Sequence, residues 1–389
     1  MKPFLAALAT IPLLLSGCSS EPAKEKVTIT DGAAADPAWD KFQNDFLEKL
    51  FKVDPYFAVY QGRHEYDGQL PDWSEAGLKA QADFLKGAIK DAQAFDDAGL
   101  SPQQRFERQY LVAVAKGRLF WLTEADQPHR NPAYYVGGGL DPNVYIARPY
   151  ADAQTRMKAF IAYANAIPAA TANIKANLKM PLPVSFIDYG KAAFDGFADF
   201  YGSDAKAAFA SVKDEALQKQ FDAATTGATK AMRELSSWME SNRSQSTHEF
   251  ALGPDKFARM VADTEMVDTP LDQLEKIGQA DLKRNRDALV KACTEYAPGQ
   301  SVPDCMKKMN DDKPVEGTIA AARKQLPMLR EFIIDKDLVS IPGTEQAQVE
   351  ESPPYNRANS AYIDIPGPYE KGLPSVYYFS RSEEHTSEL

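Results

Sequence analysis

What most constrains this chain is a recurrence of apolar residues at steps of three and four. From Asp36-Pro37 onward, Trp39, Phe42, Phe46 and Leu50 fall on one side of a helix, so that side must find a surface to bury it. Ser101-Pro102 makes an N-cap and first-turn pair, followed by Phe106, Tyr110 and Val114 at steps of four. The Ala-rich stretch 151–178 is long enough for a helix, with Pro168 placed to kink it. Another long helix is predicted over 204–241. A further one starts at Thr269-Pro270, with Leu271, Leu274, Leu282 and Leu289 on one side, and the series closes over 318–335. Each stripe reads as helical core, so the fold class is mainly α.

Pro- and Gly-containing joints separate these segments at 68–73, 127–142, 180–183 and 297–303. The character changes only near the end. Prolines recur over 341–380, and β-rich pieces at 361–365 and 376–379 predict a few short strands. No internal repeat has solenoid spacing.

Composition narrows the function classes. The 389 residues hold 44 Lys and Arg against 55 Asp and Glu, a net charge of -11 that gives no basic face for nucleic acid. A mean hydropathy of -0.42 excludes a polytopic membrane protein. Three cysteines cannot build a disulfide framework, and four histidines leave little room for a His-rich metal site.

Both ends read as something other than folded domain. Lys2 followed by an apolar run over 4–15 is a secretory signal, too short to span a bilayer. It ends Leu15-Ser16-Gly17-Cys18, which resembles a bacterial lipobox, so residues 1–17 are expected to be removed and Cys18 lipidated. An ordinary secretory signal with a chance cysteine is the alternative. Ser19 after the cysteine resembles the pattern of outer-membrane lipoproteins, which implies a lipid anchor in the cell envelope, in the outer membrane and facing the periplasm. Residues 18–35 lack apolar periodicity and read as a tether. The last nine residues, 381–389 (RSEEHTSEL), resemble the translation of a common short-read sequencing adapter. The genuine protein is therefore expected to continue beyond Ser380, with 36–380 an incomplete domain.

The chemical motifs are mostly negative. A zinc-peptidase helix needs His-Glu-x-x-His, because positions i and i+4 share a face and can grip one metal. His64-Glu65 and His248-Glu249 both lack the second histidine and read as structural or surface groups. Gly137-Gly138-Gly139 lacks the Gly and Lys of a phosphate loop, and no Gly-x-Ser-x-Gly elbow occurs. Ser203 and Lys206 have serine–lysine spacing, but N-capping by Ser203 is the simpler reading. Cys293 and Cys305 flank a turn containing Pro298, Gly299 and Pro303. In an oxidising compartment a disulfide is the natural reading, contributing about 3 kcal/mol by loop entropy, and two buried free thiols are the alternative.

Three stretches together resemble the bacterial family known as domain of unknown function 885. The first joins Asp54-Pro55-Tyr56-Phe57-Ala58 to Gly62-Arg63-His64-Glu65-Tyr66-Asp67-Gly68 and Gln69-Leu70-Pro71-Asp72. The second is Phe250-Ala251-Leu252-Gly253-Pro254-Asp255-Lys256-Phe257, followed by Thr269-Pro270-Leu271-Asp272-Gln273-Leu274 and Ile277-Gly278. The third is Glu351-Ser352-Pro353-Pro354-Tyr355 leading to Ala361-Tyr362 and Val376-Tyr377-Tyr378. The resemblance implies a large multi-helix domain of zincin type, distantly similar to the carboxypeptidase Taq group. Its metal motif, His-Glu-Ala-x-Pro-Gly-His-His, would follow the Tyr-Tyr strand and is not among the residues up to Ser380. Zinc and a peptide substrate are thus expected of the full-length protein, with no catalytic or metal residue in this chain. Val376 to Ser380 resembles the edge strand that pairs with extended substrate in zincins, which implies substrate contact by Tyr377 and Tyr378. The rival reading is a non-catalytic envelope lipoprotein with a helical binding or scaffold domain. Unpartnered apolar surface is expected wherever the family's remaining helices would sit.

Overall fold

A computed structural model of the chain describes residues 34–341, 343–352 and 360–380. The signal, Cys18, nearly all of the tether, Pro353, Pro354, Tyr355 and the last nine residues lie outside the described residues.

Helices begin where capping chemistry permits. α1 (Pro37–Val53) opens with Asp36 Oδ1 accepting from Ala38 N at 2.8 Å. Asp54 ends α1 through its own N–H, and its carboxylate then caps α2 (Pro55–Tyr60) by accepting from Phe57 N. α3 (Glu75–Gln93) starts at Ser74, and α4 (Pro102–Leu119) at a capping box in which Ser101 and Gln104 exchange hydrogen bonds. α4 runs into a π-turn, Phe120–Glu124. Short helices α5 (Gln127–Arg130), α6 (Ala133–Gly137) and α7 (Asn143–Ala147) then lead to α8 (Ala153–Asn177), which runs through Pro168.

α8 lies at the centre of the core. It buries Met157, Phe160, Tyr163, Ile167 and Ile174, and it packs against α11 (Glu215–Ser241), which also covers α9 (Val184–Gly202). Full burial of each large apolar side chain stabilises by roughly 1.5–3 kcal/mol. A smaller cluster of Trp39, Phe46, Leu50, Leu100 and Leu111 joins α1, α3 and α4, with the Trp39 indole N–H satisfied by Glu107 at 3.1 Å.

The single helix expected over 204–241 is broken. α10 (Asp204–Phe209) ends early because Asp214 caps a new helix, accepting from Leu217 N. Three of the stripes read as core are largely solvent-facing. On α4, Gln104, Leu111 and Ala115 are buried, which turns Phe106 and Tyr110 outward. Along α13 (Leu271–Tyr296) only Cys293 is buried, and Ile277, Leu282, Leu289 and Val290 are exposed. α12 (Pro254–Glu265) rests on α4, whereas α13 packs mainly on α14 (Val302–Asp311). α15 (Thr318–Asp335) likewise buries only Ala321 and exposes Met328, Leu329, Phe332 and Ile334. Among the described residues no helix is long and apolar enough to cross a membrane.

After α15 come β1 (Gln348–Glu351), β2 (Ala361–Asp364) and β3 (Val376–Phe379), ordered β1-β3-β2 in a three-stranded sheet. β3 runs parallel to β1, with Val349 opposite Tyr377. It runs antiparallel to β2, with Tyr362 opposite Tyr378. The chain is thus mainly helical with a small sheet near its C-terminal end.

Candidate functional site

The most elaborate polar arrangement among the described residues joins the turn after α2 to the loop between β2 and β3. Gly62 and Gly68 bracket that turn with φ of +89° and +79°, a region that costs other residues strain. A Cβ on Gly62 would lie 2.6 Å from Glu370 Cγ, and one on Gly367 only 2.1 Å from the carbonyl carbon of Gln61. The two segments therefore meet main chain to main chain, and Tyr369 N donates to Gln61 O at 3.0 Å.

Arg148, the residue that closes α7, occupies the centre. Its Nε donates to Asp364 Oδ1 at 3.1 Å and its Nη2 to the same oxygen at 2.8 Å. Nη2 also donates to Ile365 O at 3.0 Å, while Nη1 serves Tyr60 O and Glu370 Oε2, both at 2.9 Å. All five donors of the guanidinium are therefore used, in the fork geometry that only arginine offers. Glu370 Oε2 accepts from Gly367 N as well, and Oε1 lies 3.3 Å from His64 Nε2. The His64 ring stacks on Tyr150 at 3.5 Å, with Nδ1 3.0 Å from Asp67 Oδ1. Tyr150 O–H donates to Asp67 Oδ2 at 2.9 Å.

Burial works against the charge of Arg148, but the hydrogen bonds and charge of Asp364, and then Glu370, hold it protonated above the ordinary range. Burial pushes the Tyr60 and Tyr150 phenols up, aided by Asp141 at Tyr60 and by Asp67 at Tyr150. Asp141 is raised by burial, opposed by the N–H of Asn143 and reinforced by Asp364. Arg148 and Glu370 are committed to one another, to Asp364 and to the main chain, and Asp67 is committed to His64 and Tyr150. The arrangement is a clasp, which fixes the β2–β3 segment on the helical body and leaves none of these three free to act as nucleophile or general base.

β3 carries the expected contact residues, but it is not an edge strand: β1 and β2 occupy both its sides. An extended chain can pair only with an outer edge. Because Ser380 N bonds Ser360 O, antiparallel alternation turns the main-chain groups of Ala361 and Ile363 away from β3. Tyr377 and Tyr378 point to opposite faces, as strand period requires. Tyr378 stacks on Tyr362 at 4.9 Å, and its phenol is raised by burial and by Asp364 and Glu350. Tyr377 lies against Phe379 at 4.5 Å.

The remaining motif residues fall elsewhere. His248 and Glu249 are exposed in the loop between α11 and α12 and lie on neither helix. Ser203 stands at the N-cap of α10, yet its hydroxyl donates back to Asp199 O at 2.8 Å instead of capping, and Lys206 faces Asp222. Cys293 and Cys305 are joined, with Cα atoms 5.7 Å apart, and with Ala297 and Val302 they form a small separate cluster. His129, like His64, has a carboxylate on each ring nitrogen, Asp126 and Glu75. No group of three or more His, Cys, Asp or Glu among the described residues is arranged to hold a metal. The described residues by themselves therefore supply no ligand set for zinc.

Sequence reading missed Arg148, Asp364 and Glu370. The one signal was the glycine-bracketed stretch from Gly62 to Gly68, since paired glycines around charged residues mark a close approach of two chains. Nothing local to Glu370 reveals its partner.

The fold has a solved counterpart. A protein from Shewanella oneidensis, described as a candidate lipoprotein of unknown function, superposes with a TM-score of 0.68 at 22% identity. The match covers 91% of this chain and 66% of that one, so the chain spans just under two thirds of its length. No curated protein matches. The family model for bacterial proteins of unknown function DUF885 matches residues 55–388, a range that includes both halves of the clasp. The chain belongs to the bacterial DUF885 family.

Proposed function

We propose that the chain is the N-terminal part of an envelope-anchored, zinc-dependent peptidase, lipidated at Cys18, whose metal ligands follow Ser380 in the gene. The observation that carries this reading is the clasp. A five-donor arginine lock is an expensive way to hold a short sheet, and it makes sense where the sheet must present its edge and its tyrosines in one fixed place. An extended peptide would add to the outer edge of β2, with Tyr378 and Tyr362 flanking it on one face and Tyr377 on the other. The lipobox resemblance supports an anchor in the envelope and a periplasmic substrate. Because the described residues by themselves supply no ligand set for zinc, no chemical step is assigned to them.

The test is the full-length gene product, assayed for bound zinc and for hydrolysis of a mixed peptide library. Stoichiometric zinc with chelator-sensitive cleavage is expected. A reading frame that continues past codon 380 without His-Glu-x-x-x-x-His-His overturns the proposal. The second reading, a non-catalytic envelope lipoprotein, draws on the exposed apolar residues of α13 and α15, which suit a partner surface. A zinc-free full-length protein that copurifies with one stoichiometric partner favours it.

A further inference from the structure

His64 sits between two carboxylates. Its Nδ1 is 3.0 Å from Asp67 Oδ1 and its Nε2 is 3.3 Å from Glu370 Oε1. Both partners are acceptors, so both contacts are hydrogen bonds only when both ring nitrogens carry protons. A neutral imidazole has one N–H, and its other nitrogen would set a lone pair against a carboxylate oxygen. The ring cannot turn away easily, because Tyr150 stacks on it and donates its own O–H to the second oxygen of Asp67.

The two carboxylates belong to different parts of the fold. Asp67 is in the turn after α2, whereas Glu370 is in the β2–β3 loop, 306 residues from His64. We propose that His64 is a proton-dependent staple, so that docking of the β2–β3 segment on the helical body tightens when the imidazole is doubly protonated and loosens as pH rises. This inference needs only the geometry of the clasp and is independent of the peptidase reading.

Other charged groups lie around the ring, among them Arg156, which acts on the stacked Tyr150. Besides Asp67 and Glu370 there is Arg148, which holds the other oxygen of Glu370. Neighbouring Arg63 is engaged by Glu48 and Glu65, and Glu65 is turned to it. Arg148 anchors the loop and His64 adjusts how firmly it is held. The staple holds while both ring nitrogens carry protons and is lost when the imidazole is neutral, so the sign is fixed: rising pH loosens it.

His129 serves as an internal control. It too bridges two carboxylates, Asp126 and Glu75, but it ties α5 to α3 and touches nothing in the sheet.

The test is hydrogen exchange of the full chain at pH 5.5 and 8, with peptides from 361–375 normalised to peptides from α11 to remove the intrinsic pH dependence of exchange. Losing one charge-assisted hydrogen bond corresponds to a drop in relative protection of roughly tenfold between the two conditions. That drop is expected in the wild type and in His129→Gln, and it should be absent in His64→Gln and in Asp67→Asn. A pH-independent wild type overturns the proposal, as does a His64→Gln protein with an unchanged drop. If His64→Gln fails to fold, the Asp67→Asn protein decides in the same way, because its amide can donate to Nδ1 and a neutral ring then keeps Nε2–H on Glu370.

Discussion

Arg148 Nη1 and Glu370 Oε2 lie 2.9 Å apart across 222 residues of chain, with side chains only 6% and 1% exposed. A buried ion pair adds little net stability when intact, because desolvation offsets its attraction, but breaking it strands a charge. Arg148→Met is therefore expected to destabilise the protein by roughly 3–5 kcal/mol in urea unfolding. Arg148→Lys should recover little of this, since a lysine cannot fork onto Asp364 while also serving Glu370. Wild-type stability in the lysine variant would show that charge alone matters.

The glycines of the molecule separate into two kinds. A Cβ on Gly367 would meet the main chain of Gln61, whereas one on Gly87 in α3 meets nothing within 4 Å. Gly87→Ala should stabilise by about 0.5–1 kcal/mol through helix propensity and a less flexible unfolded chain. Gly367→Ala should cost about 1–3 kcal/mol by overpacking. Thermal melts of the two variants check the contrast.

Removing the disulfide should act locally. Among the described residues the arm of α13 and α14 buries only the cluster around Cys293 and Cys305, so the crosslink replaces the packing that other helices have. Cys293→Ser with Cys305→Ser should cost about 3 kcal/mol, the chain-entropy value for a loop of this length. In hydrogen exchange the loss should appear in the arm and leave α8 and α11 unchanged.

Asp141 gives a pH prediction. Burial raises its carboxyl above the ordinary range, so the folded state holds that proton more tightly than the unfolded state does. Between the unfolded and folded values the native protein binds more protons, and stability falls as pH rises through that window. Asp141→Asn can still accept from Asn143 N and carries no charge to bury. It should raise Tm at pH 7 and have a smaller effect at pH 4. An equal gain at both values would place the cause in packing rather than ionisation.

The sheet edge makes the peptidase reading specific. Ile363 is 47% exposed, and its main-chain N–H points away from β3. In the full-length protein, Ile363→Pro would remove that donor without breaking the ladder, raising KM for a peptide by roughly tenfold at unchanged zinc content. An unchanged KM would place the peptide elsewhere.

The sequence by itself marked several of the helices, because caps and periodicity are local, but not α3 or α9, and it ran α10 and α11 together. Asp36-Pro37 and Ser101-Pro102 start α1 and α4 where their side chains can reach the first free N–H groups, and the stripe from Trp39 to Leu50 is buried as periodicity requires. The β character of 361–365 and 376–379 was legible for the same reason. Local pattern could not say which stripe meets a partner. Phe106 and Leu282 have the spacing of core residues and face solvent, because burial depends on what packs opposite. Nor could it place β3 between β1 and β2, since strand order is set by pairing across gaps in sequence. The clasp is the extreme case. Arg148, Asp364 and Glu370 read individually as ordinary surface charges, and only the tertiary structure brings them together. A buried guanidinium is tolerable once acceptors from two distant segments satisfy every one of its donors.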